Sequence, residues 1–224
     1  MMTIAIIPAG GKGLRSGSAT PKQYLKVKSK EIIVYTLQIF QKNKSIDKII
    51  IAAEPDYFNL LIKLIKEYKL SKVKLIVEGG KTRQDSVYNA ALSSGADDND
   101  LLVVHDAARA LLPENTLTNA IETAKQKGSA LVCIKAKDTL IKGKKFVDGY
   151  LERDEVYYVQ TPQIFKYKDL YRALIKAEKE NFIGTDESML VKRIGKKVNI
   201  VEGSVFNFKI TTSEDVELFK KLVK

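Results

Sequence analysis

Thr3-Ile4-Ala5-Ile6-Ile7-Pro8-Ala9-Gly10-Gly11-Lys12-Gly13-Leu14-Arg15 decides how the rest of this chain is read. Thr3–Pro8 is an apolar run of strand length, consistent with a buried strand. Directly after it come small residues, which let the backbone approach a ligand and turn successive N–H groups into an anion-binding concavity. Arg15, and Lys22 within Pro21-Lys22-Gln23, add fixed positive charge. A strand that opens into a cationic glycine loop suits an α/β fold whose ligands gather at the carboxyl ends of the strands.

Two familiar phosphate motifs are excluded. A G-x-G-x-x-G pattern starting at Gly11 would need glycine where Ser16 stands, and its ribose-binding acid should end a second strand, whereas Glu31 precedes a helix. Gly80-Lys81-Thr82 imitates the end of a P-loop, but the required earlier glycine is Leu75.

Outward from the loop, strand-length apolar runs alternate with helical patterns. Helices are expected at Ile33–Asn43, Asp56–Leu70, Asp85–Ser94 and Pro113–Lys127, the last ended by Gly128. Strands are expected at Asp47–Ala53, Lys72–Val77, Leu101–His105 and Ser129–Ala136. The rhythm then breaks. Lys137–Gln160 holds short alternating pieces around Lys142-Gly143-Lys144 and reads as a projecting hairpin arm. Helices at Tyr167–Glu180 and Thr185–Ile194, a strand pair at Lys197–Ile210 and a last helix capped by Ser213 complete the series. The class is α/β with a mostly parallel sheet. All 224 residues fit one domain.

Composition narrows the partners. No apolar run approaches the ~20 residues of a membrane span, and Met1–Pro8 lacks the layout of a signal peptide. The lone cysteine, Cys133, excludes an internal disulfide and sits mid-strand as core. A cytoplasmic protein with no membrane partner is expected. The formal charge of +11 comes from 32 lysines and only 6 arginines, with no dense basic block. That pattern favours an anionic small substrate over a nucleic acid, whose readers prefer the arginine fork. His105 has no second histidine or thiolate to build a metal site and reads as a packed strand-end imidazole.

Six ordered segments carry a resemblance. They are Pro8–Arg15 with Pro21-Lys22-Gln23; Gly79-Gly80 with Arg83-Gln84-Asp85-Ser86-Val87; His105-Asp106-Ala107-Ala108-Arg109; Thr161-Pro162-Gln163; Thr185-Asp186-Glu187; and Asn207-Phe208-Lys209-Ile210-Thr211. Over essentially its whole length the chain resembles the 2-C-methyl-D-erythritol 4-phosphate cytidylyltransferases of the non-mevalonate route of isoprene biosynthesis. The resemblance implies a doubly wound, Rossmann-like nucleotidyltransferase fold whose arm, here residues 137–160, joins a homodimer. It also implies transfer of CMP from CTP with Mg²⁺ as cofactor. The acceptor would be a phosphate monoester, already anionic near neutral pH, which needs positioning and charge stabilisation more than a general base.

Residue by residue, the resemblance puts Arg15 and Lys22 around the triphosphate. Arg153, from the partner's arm, and Lys209 would position the acceptor phosphate. Backbone near Ala9, Gly10 and Gly80, with the Ser86 side chain, would read cytosine, while Gly11 and Gly13 shape the loop. Asp106 suits the ribose or the metal, and Asp106, Arg109, Thr139 and Thr161 are candidates for the acceptor.

The pattern has departures. Gly10 stands where the family commonly has alanine, and Ala9-Gly10-Gly11 is similar to sister enzymes that use ribitol 5-phosphate. Ser16, Lys81 and Ala110 also differ from the usual residues. Ribitol 5-phosphate therefore stays open as an alternative acceptor, and a non-catalytic nucleic-acid binder remains a more distant reading. A sugar-nucleotide glycosyltransferase would usually carry Asp-x-Asp; the nearest run, Asp97-Asp98-Asn99-Asp100, precedes a strand and reads as a solvated turn.

Overall fold

In a computed structural model, which describes residues 1–11 and 20–223, the chain folds around one seven-stranded sheet. The elements run β1 (Thr3–Pro8), β2 (Lys26–Val27), β3 (Lys30–Glu31), α1 (Ile32–Lys42), β4 (Lys48–Ala53), α2 (Phe58–Glu67), β5 (Val73–Glu78), α3 (Arg83–Leu92), β6 (Leu101–Val104) and α4 (Glu114–Lys127). Then follow β7 (Ser129–Lys135), β8 (Ile141–Gly143), β9 (Val147–Tyr150), β10 (Tyr157–Lys166), α5 (Tyr167–Lys179), α6 (Glu187–Arg193), β11 (Ile200–Glu202) and α7 (Ser213–Leu222). The large sheet has the order β11-β7-β10-β6-β1-β4-β5. β1 pairs in parallel with both β4 and β6, and only β10 runs against its neighbours.

Side-chain alternation along the strands builds two cores. Ala5, Ile7, Ile49, Ile51, Leu101 and Val103 face one way, packing with α1, α2 and α4. Ile4, Ile6, Ile50, Ala52, Leu102 and Val104 face the other way, toward α3, α5 and α6. Because both faces are covered, the central strands are apolar throughout instead of alternating with polar residues. A third cluster, with Phe219 of α7 against Val27, Ile32, Ala108 and Ile210, fixes the last helix beside the small β2–β3 hairpin.

The chain leaves β1 for β4 and β5 on one side and returns to β6 on the other. This reversal opens a crevice at the carboxyl end of β1, where open α/β sheets bind ligands.

Several boundaries differ from the sequence reading. The strand pair expected at Lys197–Ile210 is one short strand, β11, followed by a loop. Side-chain amides tie that loop to β10: Gln160 donates to the Ser204 carbonyl at 2.8 Å, and Asn207 donates to the Thr161 carbonyl at 2.7 Å. The last helix is capped by Thr212, whose hydroxyl and the Asp215 carboxylate form a reciprocal capping box; Ser213 is already helical. α3 likewise starts earlier than expected, after a Thr82–Asp85 capping box.

The arm is a hairpin of β8 and β9, and the chain rejoins the main sheet at Tyr157, before Gln160. β10 itself was not foreseen, since Gln160-Thr161-Pro162-Gln163 lacks a strand pattern. A register shift between Val159 and Gln163 accommodates that polar stretch.

Candidate active site

A cleft of about 1060 Å³ opens over the carboxyl ends of β1, β4, β5 and β6. It exceeds the ~300–1,000 Å³ usual for a single small-molecule site. One wall holds Ala9, Gly10 and Gly11 after β1, Glu54 after β4, and Gly79, Gly80 and Ser86 after β5. Asp106, Ala107, Ala108 and Lys209 line another part, and Lys22, Lys81 and Arg83 add cations.

The turn after β1 is held from below. Gln23 Nε2 donates to the carbonyls of Ala9 at 2.6 Å and Gly11 at 3.0 Å, and the buried Tyr24 hydroxyl also donates to Ala9. Tyr24 stacks on Tyr57 with ring centroids 4.0 Å apart. Across the cleft, Ser86 Oγ donates to the Thr82 carbonyl and accepts from Gly80 N, each at 3.0 Å. The capped start of α3 thereby ties Gly80 to the helix. Gly80 also has little freedom: a β-carbon there would lie 2.1 Å from Asp85 Cβ.

The most charged cluster surrounds Asp106. Its Oδ1 takes Arg83 Nε at 2.8 Å and its Oδ2 takes Lys209 Nζ at 2.9 Å, with Arg109 Nε at 3.6 Å. Arg83 reaches on to the buried Glu187 of α6 at 2.6 Å. Burial alone would raise the Asp106 pKa, but Arg83, Lys209 and Arg109 outweigh it and hold the carboxyl far below the usual range. For Arg83 burial also opposes the charge, and Glu187 and Asp106 overcome it. At Arg109 burial prevails and lowers the pKa despite Asp106, although a guanidinium stays charged in any case. Counting Asp106 and Glu187 against Arg83, Arg109 and Lys209 leaves a net positive end, suited to an anion.

Behind Asp106 runs a neutral hydrogen-bond chain. His105 is fully buried against Phe40. Its Nε2 lies 3.1 Å from the Arg109 carbonyl and its Nδ1 lies 3.0 Å from Thr161 Oγ1. Thr161 Oγ1 in turn accepts from Asp106 N at 3.1 Å. A carbonyl can only accept, so Nε2 carries the proton and Nδ1 accepts from the threonine hydroxyl. Burial, only partly offset by the Arg109 carbonyl and Asp106, drops the His105 pKa to about 4.

The structure thus brings Ala9, Gly10, Gly11, Lys22, Gly80, Ser86, Asp106 and Lys209 to one cleft. Arg15 and Gly13 lie outside the described residues. Arg109 stands beside the cleft, its Nη1 donating to the Asn207 carbonyl at 2.7 Å. Thr161 is buried, with its hydroxyl engaged between His105 and Asp106. Thr139 and Arg153 are exposed and do not line the cleft of their own chain; Arg153 donates to the Lys137 carbonyl at the arm's base. Arg83 and Glu187 sat in the motifs without a role, because only the fold reveals that Arg83 bridges Asp106 and Glu187. Glu54 gave no signal at all, since a lone acid after a strand is ordinary.

The 2-C-methyl-D-erythritol 4-phosphate cytidylyltransferase (IspD) family model matches residues 3–224. The chain belongs to this family. It is 40% identical to a Clostridium perfringens (strain SM101 / Type A) 2-C-methyl-D-erythritol 4-phosphate cytidylyltransferase over 228 residues, covering 99% of this chain and 98% of that one. A Clostridium botulinum (strain Langeland) protein of the same name is 39% identical over 221 residues, covering 98% and 96%. Among solved structures, the Francisella tularensis 2-C-methyl-D-erythritol 4-phosphate cytidylyltransferase superposes with a TM-score of 0.84 at 30% identity, covering all of both chains. The α/β nucleotidyltransferase fold expected from the resemblance is the fold found.

Membership also sharpens the meaning of Gly10. The three described atoms nearest to a methyl group there are Ser86 Oγ at 3.5 Å, Glu54 Oε1 at 3.8 Å and Gly79 Cα at 3.9 Å. The departure at Gly10 therefore falls at the Ser86–Glu54 wall. No described helix is long and apolar enough to cross a membrane.

Proposed function

We propose that this chain transfers CMP from CTP to 2-C-methyl-D-erythritol 4-phosphate, releasing pyrophosphate. An acceptor phosphate oxygen attacks the α-phosphorus in line. The new P–O bond forms as the bond to the pyrophosphate bridging oxygen breaks. The observation that carries the reading is the cationic cluster around Asp106 and Lys209, which shares a cleft with the glycine turns in a chain of this family.

In this reading Lys22 and Arg15 clamp the triphosphate and gain strength as charge builds on phosphorus. Ala9, Gly10, Gly80 and Ser86 border cytosine, and Lys209 with Arg109 draws the acceptor phosphate. Thr161 supports Asp106 from behind. Thr139 and Arg153 reach a site only across a homodimer, with residues 1–224 as one catalytic domain and the arm as its joint. Apolar side chains displayed on that arm support the joint: Phe146 is 83% and Tyr150 74% exposed. A cytoplasmic location fits the lone reduced cysteine.

Mg²⁺ belongs to the same proposal. Among the described residues no group of three or more His, Cys, Asp or Glu could hold a metal. That agrees with an ion carried by phosphates and one carboxylate, its usual mode in such enzymes. Asp106 is the carboxylate at hand, but its two oxygens already hold Arg83 and Lys209. The ion would therefore ride on the triphosphate and neutralise it, with Asp106 reaching it only by giving up one of those cations.

The test is pyrophosphate release with CTP and Mg²⁺, offering methylerythritol phosphate and ribitol 5-phosphate separately. Turnover with the first is expected. Turnover with ribitol 5-phosphate alone would replace the acceptor, and turnover with neither would overturn the enzymatic reading.

A further inference from the structure

Glu54 is the first residue after β4, half-buried in the cleft wall, with an extended backbone at φ −66° and ψ 139°. No described residue donates a hydrogen bond to its carboxylate or forms an ion pair with it. Its Oε1 and Ser86 Oγ border the same small space, 3.8 Å and 3.5 Å from where a Gly10 side chain would begin. Gly10 and Gly79, having no side chains, leave that space open.

The hydrogen-bond roles of these two side chains follow from their chemistry. The Ser86 hydroxyl spends its only proton on the Thr82 carbonyl and already accepts from Gly80 N, so one lone pair remains and no donor. An ionised carboxylate only accepts. Both side chains bordering the space therefore ask for N–H groups. A cytosine edge supplies them through its 4-amino group. Uracil presents a carbonyl oxygen at the same position, which would face two sets of lone pairs.

We propose that Glu54 is a specificity-determining residue, its carboxylate accepting an N–H of the cytosine 4-amino group and repelling the uracil 4-oxygen. The inference rests on the cytidylyl-transfer reading and adds to it a side chain that reads the base. Carboxylates make the same pairing with cytosine's amino group in DNA major grooves. A polar pocket of this kind rejects the mismatched ligand strongly, since a wrong partner leaves its groups unsatisfied. Glu54 touches the base and not the reacting phosphorus, so its substitution should act on nucleotide choice more than on chemistry.

The experiment compares kcat/KM for CTP and UTP in wild-type enzyme, Glu54→Ala and Glu54→Gln, with thermal unfolding as a check on folding. Glu54→Ala should lose about 10- to 100-fold with CTP, the range expected for one hydrogen bond to a charged group, while UTP is unchanged or improves. Glu54→Gln, whose amide can donate to the uracil 4-oxygen, should favour UTP more than Glu54→Ala does. Equal losses for both nucleotides, or an unchanged CTP:UTP ratio in an active enzyme, would overturn the role of Glu54 and leave cytidylyl transfer standing. A wild-type enzyme with no CTP turnover would remove the reading and this inference together.

Discussion

His105 is a single residue whose environment makes a measurable promise. Its pKa of about 4 lies below the ordinary 6.5, so the folded state resists protonation more than the unfolded chain does. The sign follows directly: this contribution is full above about pH 6.5 and is lost as pH falls toward 4. At about 1.4 kcal/mol per pKa unit it amounts to about 3 kcal/mol, of which about 2 kcal/mol is lost between pH 6.5 and 5. Asp106 confuses little in that window, because the unfolded carboxyl takes up protons mostly below pH 5. Thermal melts should therefore fall by about 4–8 °C between pH 6.5 and 5. His105→Gln should be less stable at neutral pH yet nearly flat across the same window; an equally steep fall would assign the loss to other groups. Sequence reasoning placed this imidazole correctly at a packed strand end. It did not find the tautomer, because that depends on Arg109 and Thr161 arriving from two other segments.

At the scale of elements, legibility followed the source of the pairing. β1, β4 and β6 were readable because burial on both faces leaves a purely apolar run. β10 was not, because its centre owes its place to neighbours β6 and β7 and to a register shift, not to its own pattern. The start of α3 was read late for a similar reason: Thr82 and Asp85 hide a capping box inside a polar motif. That element allows a sharp test at Gly80. Alanine there would put a β-carbon 2.1 Å from Asp85 Cβ, so either the first turn of α3 or the Gly80 backbone must move. Such a move breaks the Gly80 N–H to Ser86 contact. We expect Gly80→Ala to cost about 1–3 kcal/mol of stability, as other overpacked sites do, and to raise KM for CTP about tenfold or more, the worth of one hydrogen bond to the base wall. Denaturant unfolding and CTP titration at saturating acceptor would measure both. An unchanged KM would mean that the Ser86 wall does not touch the nucleotide.

For the whole molecule the decisive question is why a family member carries Arg153 outside the lining of its own cleft. In one chain this arginine is exposed at the base of the arm, and its guanidinium donates to the Lys137 carbonyl. Just before it in sequence comes the hairpin of Ile141–Tyr150, whose apolar side chains are too exposed for a lone subunit to hide. A two-fold dimer that buries this hairpin would bring each arm to the partner, and with it a guanidinium for the partner's anion-binding end. Assembly would then become a condition of activity. The prediction uses two inactive variants, Arg153→Ala and Lys22→Ala. When they are mixed under conditions that exchange subunits, each heterodimer has one site with an intact Lys22 and an intact Arg153 from the other chain. Its second site lacks both. Activity should rise from near zero toward a quarter of wild type, since half of a random mixture is heterodimer and half of its sites are whole. If Arg153 served its own chain, every site would miss one cation and mixing would restore nothing. Light scattering on the same mixture would show whether dimers are present. A monomeric yet active enzyme would end the shared-site argument altogether.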